Sequence, residues 1–195
     1  MKKSFYFFFA ILFFGTITLS AQNFATKGTV ELGGSLGFSS TTMVYDGNSA
    51  DNSTSTFMIE PYVGYFVINS LELGLIPSFS TTSYPGDQST TSFGVYFAPA
   101  WNFDLKSNLY PFIEGRIGYN TSSYDDNNSE TDDPSSSGLA WGFRGGVKVQ
   151  VGNSALVNIA LSYDQITMDP ENWDGGRNGA NVFGVNAGFT IFLGK

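Results

Sequence analysis

Charged side chains interrupt segments of this chain that otherwise alternate apolar residues with small or polar ones. Five of them form a candidate cluster: Glu60, Glu114, Arg116, Arg144 and Lys148. A charge held among packed side chains must pair with an opposite charge or stay hydrated. Three chemistries are therefore considered: a salt-bridge network that fills a lumen, a charged constriction in a small pore, and the paired carboxylates of a glycosidase.

A second candidate group lies in an acidic segment and comprises Asp125, Asp126, Glu130, Asp132 and Asp133. The segment partly matches a calcium-binding loop, although it lacks the glycine and the closing glutamate at the required spacing. It is either solvated surface or a loose Ca²⁺ or Mg²⁺ site that bridges to anionic lipopolysaccharide. Trp173, beside a glycine-rich turn, is either a contact for a binding partner or an aromatic residue at a membrane interface.

Composition restricts the chemistry available to this protein. The chain has no histidine and no cysteine, which excludes Ser-His-acid triads, histidine-ligated zinc and a disulfide framework. We therefore predict that it is not an enzyme and that it needs no cofactor. A formal net charge of −8 also argues against binding to nucleic acid, because the phosphate backbone attracts basic proteins.

The first residues have the pattern of an export signal. Lys2 and Lys3 precede an apolar run from Phe5 to about Leu19, and Ala21 ends the segment. A basic start, a short apolar core and a small residue at the cut are typical of a cleaved signal peptide. We predict a signal peptide at 1–21 and one barrel domain at 22–195.

The elements that must position the charged residues are β-strands. Alternation with a period of two is clearest over Leu139–Val151, and it is typical of a strand with a different environment on each face. Eight such strands are predicted, at about 28–43, 55–68, 71–83, 91–103, 109–122, 138–151, 155–166 and 179–193. The connections between them alternate between short and long; the predicted long ones are 44–54, 84–90, 123–137 and 167–178.

The two faces of these strands indicate which side is inside. The apolar face is rich in aromatic residues, whereas the other face carries many glycines and few charges, as at Gly64, Gly74, Gly142 and Gly146. Small residues relieve crowding inside a narrow barrel, and an apolar exterior suits lipid. The fold class is therefore an all-β, eight-stranded antiparallel transmembrane up-and-down β-barrel. Because such a barrel is just wide enough for its own side chains, the salt-bridge network is favoured for the charged cluster.

The chain resembles a known family in Pro61–Phe66, Leu71–Leu75, Tyr110–Gly115 and the last strand, Val182–Leu193. These segments are similar to those of eight-stranded outer-membrane barrels of the OmpA/OmpX type, and to the compact outer-membrane β-barrel or porin-family proteins of Bacteroidota-like bacteria. The resemblance implies a place in the bacterial outer membrane. It also implies that the assembly machinery of that membrane recognises the last strand during biogenesis.

These observations lead to one functional hypothesis and two alternatives. The first is an integral outer-membrane barrel with a structural or small porin-like role and a lumen plugged by charged side chains. We expect this barrel to be a monomer whose partners are membrane lipid and lipopolysaccharide. The alternatives are a surface adhesin that binds ligands through its acidic loops, and an accessory component of a secretion or assembly complex.

Overall fold

The computed structural model describes residues 24–83, 88–125, 135–168 and 178–194. Within these ranges the chain forms eight antiparallel strands that close into a barrel in sequence order, with β8 paired to β1. The strands are β1 (Val30–Tyr45), β2 (Asn48–Ile68), β3 (Leu71–Ser83), β4 (Ser89–Asn102), β5 (Leu109–Asp125), β6 (Ser135–Gln150), β7 (Ala155–Thr167) and β8 (Gly179–Leu193). The predicted fold class is confirmed. The predicted signal peptide at 1–21 lies outside the described residues.

The described residues contain no helix that is long and apolar enough to cross a bilayer.

The strands are tilted relative to the barrel axis. Following paired residues once around the barrel leads from Leu32 of β1 back to Thr42 of the same strand. A closed sheet with such a stagger must tilt its strands. Residues at the same height in the barrel therefore lie at different distances from the ends of their own strands. The lower end of the barrel is defined by the turn at Asn69 and Ser70, and the upper end by the turn at Asp46 and Gly47.

The outward face is an apolar band with a ring of aromatic side chains near its upper edge. Every described strand contributes one residue to this ring: Phe38, Phe57, Phe79, Phe93, Tyr119, Trp141, Tyr163 and Phe183. Above the ring the outward positions become hydroxylated, as at Ser40, Ser55, Thr81 and Thr121. Aromatic residues favour the boundary between hydrocarbon and water, so the ring marks the upper membrane interface.

The glycine-rich face points into the lumen, as predicted from the sequence. Gly64 pairs with Gly74 across β2 and β3. A Cβ atom on Gly64 would overlap the Glu72 carboxylate and come within 2.8 Å of the Tyr62 hydroxyl. The lumen at this height has no space for a further methyl group. The glycines are therefore needed because large polar side chains from neighbouring strands fill the interior.

The predicted long connection at 44–54 is wrong. β1 and β2 continue upward to a two-residue turn at Asp46 and Gly47, where φ is 49° and 77°. A type I′ hairpin turn needs positive φ at both central residues and favours Asp-Gly. The Asp46 N–H also donates to Asn178 Oδ1 at 3.0 Å. The residues above the membrane band are mostly polar, so apolar alternation did not indicate the paired hairpin there. The Asp-Gly pair could have indicated it.

The turn at Gly47 gives the first testable prediction. We expect Gly47→Ala to lower the free energy of unfolding by about 1–2 kcal/mol, since the left-handed region disfavours a Cβ atom. Gly152→Ala is the matched control, because Gly152 lies in another turn with open space around it and no positive φ. Urea titration of both variants in lipid vesicles measures the difference. Equal losses would show that backbone conformation does not stabilise this hairpin.

Candidate functional site

Two arginines converge on one carboxylate in the middle of the lumen. Arg116 Nη2 donates to Glu60 Oε1 at 2.6 Å, and Arg144 Nη2 donates to Glu60 Oε2. Ser35 Oγ, from the strand beside Glu60, donates to the same carboxylate at 3.4 Å. All three charged side chains are buried. Charge-assisted hydrogen bonds of this kind are stronger than neutral ones, so Glu60 is the centre of the network.

Two further carboxylates complete this middle layer. Glu114 is the cross-strand partner of Arg144, and its Oε1 lies 3.8 Å from Arg144 Nε. Asp164 Oδ2 lies 3.5 Å from Arg116 Nη1. The structure thus brings together four members of the sequence-predicted cluster and adds Asp164. Sequence reasoning missed Asp164, although it continues the small, inward-facing series of Ala160 and Ser162.

Lys148, the fifth member of the predicted cluster, belongs to a separate lower layer. Its Nζ atom lies 2.6 Å from Glu31 Oε2 and 3.1 Å from Glu72 Oε2. Thr190 Oγ1 donates to Glu31 at 2.6 Å, and Asn102 Nδ2 donates to Glu72 at 3.1 Å. Lys148 lies four residues from Arg144 along β6, about 13 Å at the rise of a strand. That separation explains why the two residues take different partners.

An aromatic floor closes the lumen below Lys148. The ring of Phe24 packs edge-on against the rings of Phe66, Tyr110 and Phe192, with centroids 5.0, 5.1 and 5.3 Å away. Lys148 Nζ lies 4.9 Å from the centroid of the Phe24 ring, which is a cation–π distance. Phe24 has no exposed surface.

Backbone hydrogen bonds hold the segment that carries Phe24 against the lower end of the barrel. The Gly28 N–H donates to the Phe66 carbonyl at 2.8 Å, and the Ser70 N–H donates to the Ala25 carbonyl at 3.0 Å. Phe24 precedes β1 and lies outside any alternating pattern. The periodicity of the sequence therefore gave no indication that Phe24 lies in the lumen.

Above the middle layer the lumen widens into a cavity of about 500 Å³, named here the upper cavity. Residues from all the described strands line it, and Glu60, Tyr96, Arg116 and Asp164 form its base. The Arg116 guanidinium carbon lies 4.5 Å from the centroid of the Tyr96 ring. The charged layers and the floor therefore fill the lower lumen, while the upper lumen retains free space.

The predicted loop sites are placed only in part. Asp125 ends β5 at the upper end of the barrel. Asp126, Glu130, Asp132, Asp133 and Trp173 lie outside the described residues. Within the described ranges, no group of three or more histidine, cysteine, aspartate or glutamate residues is arranged to hold a metal ion. Ca²⁺ or Mg²⁺ binding by this segment stays a prediction.

Comparison with known proteins identifies the family. The sequence profile of the outer membrane protein beta-barrel domain matches residues 9–190. The chain belongs to this family. Its location is accordingly the bacterial outer membrane, and the apolar band with its aromatic ring faces the lipid of that membrane. No curated protein shows significant sequence similarity to the chain.

Solved structures share the architecture of this family member. Neisserial surface protein A superposes with a TM-score of 0.63 at 17% identity, over 85% of this chain and 99% of that one. OprG from Pseudomonas aeruginosa superposes with a TM-score of 0.51 at 14% identity, over 87% of this chain and 98% of that one. Identities this low support a common fold only. The function of this chain has to be inferred from the side chains in its own lumen.

Proposed function

We propose that this protein is a non-enzymatic structural barrel of the outer membrane whose lumen does not conduct solutes. The observation that carries the proposal is that the middle and lower ion-paired layers both lie above the aromatic floor formed around Phe24. Glu31 and Glu72 of the lower layer have no exposed surface, and neither has Phe24 beneath them. A solute crossing the lumen would have to separate buried ion pairs and also displace the Phe24 ring.

The porin-like alternative assigns Arg116 and Arg144 to a selectivity constriction. A constriction of that kind needs charged groups that face a water-filled path. Here both guanidinium groups are buried and bound to Glu60. The same contacts argue against Glu60 as a glycosidase carboxylate, because its two oxygens are already engaged by arginines. The network suits a structural plug better than either alternative.

The proposal includes a monomeric state. Closure of the sheet through β1 and β8 leaves no free strand edge for pairing with a second chain. The lumen charges pair with one another inside the barrel. Membrane lipid and lipopolysaccharide are then the proposed neighbours of the apolar exterior, and the outer-membrane assembly machinery is the proposed partner during biogenesis.

Deletion and complementation in the native bacterium test the structural role. We expect a strain that lacks the protein to become more sensitive to detergent, while its uptake of small sugars and amino acids stays unchanged. The wild-type gene should restore detergent resistance. Loss of uptake of a particular solute, restored by the wild-type gene, would instead favour a porin-like function.

A further inference from the structure

The upper cavity has two unlike walls. One wall carries an apolar patch that comes mainly from β1, β2, β7 and β8: Met43, Met58, Ile166, Met168, Ala180 and Val182. Ser39, Thr41 and Thr56 of β1 and β2 line the cavity beside this patch. Every methionine of the chain except Met1 belongs to this wall. Methionine side chains are flexible and polarizable, and they adapt to ligands of irregular shape. This wall is therefore suited to an apolar group of variable outline.

The opposite wall carries hydroxyl groups from β3, β4 and β5, including Ser78, Ser80, Thr82, Thr90, Ser92 and Ser122. Some of these groups already form hydrogen bonds: Ser92 Oγ and Ser122 Oγ are 2.7 Å apart, and Thr82 Oγ1 is 2.5 Å from Thr56 Oγ1 of the neighbouring strand β2. A hydroxyl group both donates and accepts hydrogen bonds. This wall is suited to a ligand that carries hydroxyl groups of its own.

The base of the cavity restricts the charge of an occupant. Arg116 is paired with both Glu60 and Asp164, so neither a free cation nor a free anion faces the cavity there. Ser39 Oγ is buried in the lining and has no hydrogen-bond partner, and the same holds for Asp164 Oδ1 and Arg116 Nε at the base. A buried polar atom without a partner is unfavourable, and a bound polar group would satisfy it.

We propose that the upper cavity binds an uncharged amphipathic small molecule, with its apolar part on the methionine wall and its hydroxylated part on the serine and threonine wall. The volume of about 500 Å³ falls within the usual range of small-molecule sites. Aryl glycosides have this chemistry. The site lies above the charged layers, so its occupancy does not depend on whether the lower lumen conducts.

Binding is tested with the full mature chain in phosphatidylcholine nanodiscs and 4-fluorophenyl β-glucoside as the probe. Methionine methyl groups labelled with ¹³C report directly on the cavity, because Met43, Met58 and Met168 all line it. We expect saturable shifts of these methyl resonances. Methyl glucoside, which lacks the aryl group, and 4-fluorophenyl glucuronide, which is an anion, should each bind at least tenfold more weakly.

A matched pair of variants separates cavity binding from partition into lipid. Ser80→Phe fills the cavity from β3 and should weaken glucoside binding at least tenfold. Thr81→Phe adds the same ring on the outward face of the same strand and should leave binding unchanged. A heat-dependent shift in gel mobility checks that both variants fold. The proposal is overturned if wild-type methyl shifts do not saturate, or if the glucuronide binds as well as the glucoside.

Discussion

Glu60→Leu will destabilise the barrel by about 3–5 kcal/mol, the loss typical when one partner of a buried ion pair is removed. Glu60 accepts hydrogen bonds from both Arg116 and Arg144. The substitution leaves two guanidinium groups in the lumen without their shared carboxylate. Urea unfolding in phosphatidylcholine vesicles, followed by tryptophan fluorescence, measures the loss, because Trp101 and Trp141 face outward into lipid.

Glu114→Leu is the matched control for Glu60→Leu. Glu114 lies in the same layer, but its closest ion-pair distance is 3.8 Å, to Arg144 Nε, and its Oε1 atom accepts no hydrogen bond. We expect this variant to lose less than half as much free energy as Glu60→Leu. Equal losses in the two variants would contradict the central place of Glu60 in the network.

Lys148→Met will cost a similar amount, about 3–5 kcal/mol, because it leaves two fully buried carboxylates facing each other. Glu31 and Glu72 both rely on the Lys148 ammonium group, at 2.6 and 3.1 Å. Methionine keeps most of the length of the lysine side chain and removes its charge together with its hydrogen-bond donors. The same urea titration in vesicles measures the effect.

A triple variant tests whether unpaired charge causes the loss in Lys148→Met. Neutralising all three members of the lower layer, with Glu31→Gln and Glu72→Gln added to Lys148→Met, should recover most of the lost stability. Replacing a whole buried ion pair is often nearly neutral, whereas removing one partner is not. If the triple variant is less stable than Lys148→Met alone, packing rather than charge dominates the lower layer.

The sequence was sufficient to predict the strands and the faces of the barrel. Alternation placed the ends of β3 at 71 and 83, as observed, and the glycine-rich face identified the lumen. Membrane strands have to alternate because lipid lies on one side and packed polar groups on the other. The bounds of β1 and β2 were less accurate, since above the membrane both faces are polar and the alternation fades.

The arrangement of the lumen could be predicted only in part. Glu60, Arg116 and Arg144 were predicted to belong to one cluster, and they do meet. Their partners depend on the stagger of the strands, which alternation does not encode, so Lys148 was grouped with residues of a different layer. Phe24 could not be predicted at all, because its position results from backbone contacts of the segment before β1 with Phe66 and Ser70.

Single-channel recording in a planar bilayer tests the closed lumen most directly. The purified full-length mature protein, inserted at low density in 1 M KCl, is compared with Arg116→Ala, with Arg144→Ala and with a larger porin as the positive control. A lumen closed by the ion-paired layers and Phe24 predicts no current steps from the wild-type protein under conditions where the porin conducts. Discrete steps from the wild-type protein, with an ion selectivity that changes in either arginine variant, would contradict the closed lumen and establish a pore.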